Sequence, residues 1–425
     1  MKRQRYDLSH YSTQAGQVGR LQTLTCIPVV AGDTFSLQVG GELTLSPLRR
    51  RIVLDCQLTM AAFWIPYRHI WDDDWIDFIK EGYDETVTLG SDTVSASADY
   101  GCYGWKFGQA NAFKPVITGY DQIWNRYWRS VTHQDEVVEG TVMSGDRDIL
   151  YGRQICHLPS MLNSQIQFQD EDAADYEVTV TSGKFDIRDL AKTRAQLRTE
   201  IDREYFGRRY NDLMKGQFGS GVNIDADVRP ELLGTYRRWF GGYDAEGGDD
   251  ASLGQLQGKS STVVQFGLPR RYFAEHGIVH VVGTVRYPFI HHDERHYYGR
   301  VNNPSYLELA GDPELLMMEH TRHQAPRDYF NSADTTSMGE EPYGQWWRHH
   351  PNILHPLFEN ADGYPYLTDS NSVEDRVKRV VVQSDAYDDM FITNQYGHWQ
   401  AYLKIGLMAD RIIPGVKHSM YAGAS

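Results

Sequence analysis

The segment FIHHDERHYYG sets His291, His292 and His296 close together, with Asp293 and Glu294 between them. Imidazole and carboxylate groups at this density are transition-metal ligands. On a helix, His292 and His296 would share a face, as in zinc hydrolases, but Glu294 is misplaced for the general base of that arrangement. Pro288 precedes the run and YYGRVNNP follows it, so the segment reads as a loop. The pairs in MEHTRH (His320, His323) and WWRHHPNILH (His349, His350, His355) are equally loose. Polar loop histidines or contact residues are the plain alternative to a metal site.

Other chemistry is sparser. YDAEGGDDASLG places Asp244, Glu246, Asp249 and Asp250 among glycines. It could hold calcium, but it lacks the ligand order and closing glutamate of an EF-hand, and a plain Gly/Asp turn is the preferred reading. A structural cation is therefore unassigned, and no cofactor is expected. Gly16 and Gly19 in AGQVGRL lack the strand–loop–helix context of a phosphate cradle. No GxSxG occurs, and Cys26, Cys56, Cys102 and Cys156 form no CxxC pair. No nucleophile is recognisable.

The remaining cluster is basic. Arg49, Arg50 and Arg51 stand in a row, and Lys2, Arg3, Arg5 and Arg20 lie nearby in sequence, against only Asp7, Asp33 and Glu42. The N-terminal block is thus locally basic in a chain of net charge -15. Arginine grips phosphate in two-pronged fashion, so a nucleic-acid contact is one reading. Pairing with acidic groups of a neighbouring subunit or insertion is the other.

The elements that would carry these residues are mostly strands. Strand-like pattern falls in three blocks, within 20–67, 261–288 and 376–413. Ile52, Leu54, Cys56, Leu58 and Met60 keep the period of two expected of a half-buried strand. In the last block Tyr402 and Lys404 alternate with Ala401, Leu403 and Ile405. Strands so far apart must close by long-range pairing, which makes 68–260 and 289–375 insertions in one mainly β domain spanning 1–425. Short helices are expected inside them. IWDDDWIDFIKEG puts Trp71, Trp75, Phe78 and Ile79 on one face and ends at Gly82. DQIWNRYWRS does the same with Ile123, Trp124, Tyr127 and Trp128, and residues 186–214 form a longer, highly charged helix candidate. With 27 tyrosines and 10 tryptophans the chain suits extensive contact. No stretch is long and apolar enough for a membrane span, and MKRQRYDLSH lacks an apolar segment after its basic start. With few, scattered cysteines, these features point to a soluble, assembling protein of a reducing cytoplasm.

Nine stretches then occur in a telling order: YDLSHYSTQAGQVGRL, LTLSPLRR, IPYRHIWDDDWIDFIKEG, REYFGRRYNDLM, DADVRP, GYDAEGGDDASLGQLQG, EHGIVHVVGTVRYP, LAGDPEL and YGQWWRHHP. Each resembles a stretch of the major capsid protein (F protein) family of the Microviridae, the phiX-type bacteriophages with circular single-stranded DNA. The matches run from about residue 6 to 366. They are weak over about 86–160, 289–305 and 320–338. The resemblance implies an eight-stranded antiparallel viral jelly-roll barrel with long insertion loops. It implies a T=1 icosahedral capsid assembled through pentamers in the host cytoplasm. The implied partners are other copies of the chain, packaged single-stranded DNA, a small basic DNA-packaging protein, scaffolding proteins and a spike protein. Arg49, Arg50, Arg51, Lys2, Arg3 and Arg5 are then the expected DNA or inter-subunit contacts. The rival from a different class is a metal-dependent, cupin-like jelly-roll enzyme using the 291–296 histidines.

Overall fold

The computed structural model describes residues 4–48, 55–81, 88–93, 102–104, 111–129, 134–140, 146–155, 230–246, 256–287, 306, 309, 321–324, 339–342, 384–392 and 396–411. In chain order the strands begin with β1 (Gln4–Asp7), β2 (His10–Gly16), β3 (Gln22–Val29), β4 (Thr34–Leu45) and β5 (Cys56–Pro66). The short strands β6 (Asp92–Thr93) and β7 (Asn111–Ala112) pair with each other. Then come β8 (Glu231–Phe240), β9 (Tyr243–Glu246), β10 (Leu256–Lys259), β11 (Ser261–Tyr272) and β12 (Gly277–Arg286). The last are β13 (Thr321–Gln324), β14 (Gly339–Pro342) and β15 (Trp399–Arg411).

Two antiparallel sheets carry the fold. One has the order β1-β15-β4-β11, with β2 also on β15; the other runs β3-β12-β5-β8. β1 pairs with residues 408–411 of β15 and β2 with 399–405, so the two share one edge position. Counting that edge once leaves four positions per sheet. In chain order they are filled first–eighth–third–sixth and second–seventh–fourth–fifth. This interleaving is consistent with a jelly roll, a two-sheet form made of two Greek keys.

Alternation explains the first sheet. Leu37, Val39 and Leu43 of β4, Val264 and Phe266 of β11, and Leu403, Ile405 and Leu407 of β15 are buried, with polar or small residues between. The strand expectations for these segments hold. β5 differs from expectation. Gln57, Thr59, Ala61 and Phe63 are buried as fully as Leu58 and Met60. Both faces of β5 are covered, so it is not half-buried, while Ile52 and Leu54 lie outside the described residues. Sequence reading also passed over β1, β2 and β8; β8 falls within the stretch read as an insertion and pairs with β5 from Cys56 to Trp64. The 186–214 helix candidate lies outside the described residues.

The cover over the second sheet is helical. α1 (Arg68–Trp71) and α2 (Asp73–Glu81) follow β5, broken at Asp72, whose φ is 47°. Trp71 and Trp75 stack at 5.9 Å, and Phe78 stacks on Trp75 at 5.9 Å, as their spacing predicts. Ile79 is 56% exposed and does not join that face. α3 (Lys114–Ile123) continues into a π-helical turn, Trp124–Trp128, and buries Ile123, Trp124 and Trp128 as expected. Gly119 lets α3 sit directly on β12, because a Cβ there would come within 2.8 Å of His280 Nε2. α4 (Asp146–Tyr151) ends at Gly152, where a positive φ of 83° and the Leu21 carbonyl leave no room for a side chain.

Two buried polar groupings tie these layers together. Arg20, 4% exposed, donates from Nε to Ser384 Oγ at 2.9 Å and from its terminal nitrogen to the Gly152 carbonyl at 2.6 Å and to Asp148. Beside it, His398 accepts the Val18 amide at Nδ1, 3.2 Å away, so its Nε2 carries the proton and donates to Asp388 at 2.7 Å. Arg147 clamps Asp385 and Asp388. Thus the β2–β3 corner, α4, the 3₁₀ helix Ser384–Met390 and the start of β15 are joined by charge-assisted hydrogen bonds. In the second sheet, fully buried His280 donates from Nε2 to the Pro115 carbonyl at 3.1 Å, and its Nδ1 lies 3.4 Å from Cys26 Sγ.

Burial pushes the pKa of His280 down to about 4, opposed by the Pro115 hydrogen bond, and lowers that of His398. Both are therefore neutral in the fold and bind protons more readily once unfolded. Their stabilisation is complete above the ordinary value of 6.5 and is lost as pH falls below it, for His280 down towards 4. For His280 the loss approaches ~3 kcal/mol. Thermal melts between pH 7.5 and 4.5 should show it, and His280→Gln, which keeps a donor but gains no proton, should have a shallower pH dependence. An unchanged slope would refute the assignment. Arg20→Met should cost ~2–3 kcal/mol in urea denaturation, since it orphans buried acceptors. Arg5→Ala, whose guanidinium is mostly exposed, should leave the urea midpoint unchanged.

Candidate assembly surface

Of the basic residues marked out by sequence, the structure describes Arg5 and Arg20. Lys2, Arg3, Arg49, Arg50 and Arg51 lie outside the described residues. Arg5 is exposed and donates from Nε to Asp410 at 3.0 Å; that hydrogen bond raises its pKa. Asp410 also takes a bond from Arg270, so one carboxylate bridges two strands of the sheet. Arg20 is the internal tie described above and offers nothing to a ligand.

Arg5 and Leu48, the described residue next to the arginine run, are also far apart in space. Arg5 sits opposite Asp410, which pairs with Thr34 at the start of β4. Leu48, the residue before the arginine run, follows the other end of β4, where it bridges Phe391. A strand of 12 residues separates the two places, about 40 Å at the usual rise. Neighbours in sequence here mark opposite ends of one sheet.

Catalytic readings find no footing among the described residues. No group of three or more His, Cys, Asp or Glu side chains converges on a metal position there. His291, His292, His296, His320, His349, His350, His355, Asp249 and Asp250 lie outside the described residues. His323 falls in β13, and Asp244 and Glu246 in β9. Cys26, Cys56 and Cys102 are free, buried thiols whose pKa burial raises, so none is a ready thiolate. No described helix is long and apolar enough to cross a membrane.

What the fold does present is contact surface. The outer face of the first sheet exposes Tyr11, Val263, Tyr402 and Met408. Lys404 Nζ lies 6.0 Å from the Tyr11 ring, and open space stands over neighbouring Gly40. The second sheet ends in β8, which among the described residues pairs on one side only. Its burial differs from that of every inner strand: Leu232, Arg237, Arg238 and Trp239 are all exposed, Trp239 by 54%. Arg237 and Arg238 carry no ion pair among the described residues. The α2 helix exposes Asp73, Asp74 and Asp77 together with Ile76 and Ile79. The signal that could have drawn attention to β8 was RRW inside a strand-like run, ELLGTYRRWF. Aromatic and arginine side chains in the open are what protein interfaces are made from.

Comparison with known proteins agrees. The chain matches the family described as Capsid protein (F protein) over residues 1–178 and 176–421. It is 31% identical to Capsid protein F of Escherichia phage G4 over 98% of this chain and 96% of the relative. It is 32% identical to Capsid protein F of Enterobacteria phage phiK, over 99% of this chain and 97% of that one. Capsid protein F of Escherichia phage alpha3 is 31% identical over 99% and 97%. The alternative of a metal-dependent enzyme is overturned by these relations, which are to structural proteins throughout. The chain belongs to the capsid protein (F protein) family of Microviridae bacteriophages, and it is a structural subunit of a virion.

Proposed function

We propose that the chain builds a T=1 icosahedral shell through pentameric intermediates, and that the shell encloses circular single-stranded DNA. The observation that carries this reading is the full-length match to Capsid protein F, borne on a strand order that suits a jelly roll. Such a subunit hides most strand edges and leaves its loops to shape contacts. Obligate interfaces of roughly 2,000 Å² or more are the physical requirement for a closed shell.

Charge supports a division of labour. Each nucleotide brings a negative phosphate, and each subunit brings a net charge of -15. An acidic wall repels a confined polyanion unless cations intervene. A small basic packaging protein supplies them, with Arg49, Arg50, Arg51, Lys2 and Arg3 as the chain's own contribution at the inner surface. Scaffolding proteins hold pentamers in register during assembly in the host cytoplasm, and a spike protein occupies the outside. The segment 244–250 is the place to look for a structural cation.

Co-expression with the scaffolding and packaging proteins, followed by sedimentation and electron microscopy, tests the shell. Closed icosahedral particles with high absorbance at 260 nm are expected; small oligomers alone would overturn the proposal. Arg50→Ala together with Arg51→Ala should lower the DNA per particle. Normal particle yield with normal DNA content would remove these arginines from the nucleic-acid role.

A further inference from the structure

We infer that the β8 edge of one subunit docks the acidic α2 helix of a second copy, head to tail. The inference rests on self-assembly, which the family establishes, and not on the number of subunits in a ring.

Neither surface has a counterpart among the described residues of the protomer. Along β8, Arg237 stands opposite Thr59, Arg238 opposite Leu58 and Trp239 opposite Gln57. Neighbouring strand residues face opposite sides, so the free edge is flanked by one guanidinium on each side, with Trp239 beside Arg237. None of the described acidic groups pairs with either arginine, although Arg271 and Glu231 pair at the other end of the same strand at 2.6 Å. Charged residues on an edge also discourage strand-to-strand addition, which favours a partner that brings side chains rather than another strand.

The helix α2 is the complement. Asp73, Ile76 and Asp77 fall at i, i+3 and i+4 and so share a face. All three are exposed, Ile76 by 43%, and neither aspartate is in an ion pair among the described residues. The opposite face is occupied by the Trp71–Trp75–Phe78 stack, which holds the helix against the body. The outward face therefore offers two carboxylates around an aliphatic side chain, and the β8 edge offers two guanidinia beside an indole. Arginine and tryptophan are the residues most often found to dominate binding at interfaces.

Position makes the contact head to tail. Arg237–Trp239 pair with the start of β5 at Gln57–Thr59, whereas α2 follows the end of β5 at Pro66. About 25–30 Å of strand separates Gln57–Thr59 from Pro66, where the chain leaves for α2. Two different patches on opposite sides make a heterologous interface, which closes into a ring when the rotation allows. Nucleic acid is the less suitable occupant, because two arginines facing opposite sides of a strand do not line one groove along a phosphate backbone.

A charge exchange tests the contact in the full chain, co-expressed with its assembly partners. Arg237→Glu with Arg238→Glu should lower the yield of assembled rings and particles at least about tenfold, and Asp73→Arg with Asp77→Arg should do the same. Combining the four changes should restore most of the yield. Circular dichroism and melting of unassembled protein separate folding from association. If a reversal fails to fold, Arg237→Gln and Asp77→Asn should each weaken assembly in a salt-sensitive way. Failure of the fourfold variant to recover, with all variants folded, would overturn the inference. So would full assembly of the arginine reversals, and particles in normal number but short of DNA would assign the arginines to nucleic acid instead. Subunits that form rings but no T=1 shell would contradict the proposed shell and leave this contact standing.

Discussion

β15 is the strand on which everything else waits. It lies between the N-terminal strands and β4, and its pairing with β2 joins Trp399 to Gly16 and Ile405 to His10. On its other side it pairs with β4 continuously from Trp399 to Asp410. Without β15 the first sheet would be a β4–β11 pair, with β1 and β2 left unattached. Pairing across so much intervening chain carries a large loop-closure cost before any contact rewards it. Its strict alternation, with Ala401, Leu403, Ile405, Leu407 and Ala409 all buried, supplies the reward. A subunit whose sheet closes last exposes half-built edges until the whole chain is made. Association before that point would pair the wrong edges.

The buried polar ties act on the insertions rather than on the sheets. Arg20 reaches Ser384, Asp148 and the Gly152 carbonyl at once, and His398 holds the Val18 amide and Asp388. These groups come from widely separated parts of the chain. Apolar packing alone is tolerant of small slides; a guanidinium with three fixed acceptors is not. The insertions near the β2–β3 corner are thereby held in one arrangement relative to the sheets. A shell subunit needs that fixity, because its contacts are repeated by symmetry and an error in one loop is multiplied around the particle.

The sheet was legible wherever one face meets solvent and the other the core. β4, β11 and β15 show plain alternation, and each falls within a block read as strand-like from the sequence. β5 was recognised as a strand, yet its polar Gln57 and Thr59 suggested a wet face; α3 and its π-helical extension cover that side, and Phe63 packs on Tyr127 at 4.6 Å. Periodicity cannot reveal what a distant helix will bury. β8 escaped for the opposite reason: an edge strand exposes both faces, so its alternation fades. Residue proximity in sequence also misled about the basic block. Arg20 turned inward, and Arg5 and Leu48 took opposite ends of β4, because an antiparallel hairpin sends successive residues along the barrel and not around a point. The resemblance of ordered motifs identified the family where site geometry from single residues could not.

Charge pairing within the fold shapes what the surface can do. Among the described arginines, Arg68, Arg147, Arg153 and Arg271 are each matched to carboxylates, as are Arg5 and Arg270 through their shared Asp410. A cation already beside a carboxylate gains less from a phosphate, since the approaching anion must face both charges. Among the described arginines, those of the β8 edge, Arg237 and Arg238, stand exposed without an ion pair. On the proposed function, this distribution would leave neutralisation of a polyanion to separate chains or to segments such as Arg49–Arg51. It also keeps the exposed Arg237 and Arg238 at the edge for which the inferred contact supplies the subunit's own aspartates. If the proposed contacts hold, assembly would draw on the β8 edge and α2, and genome contact on other residues, so that either could change without dismantling the other.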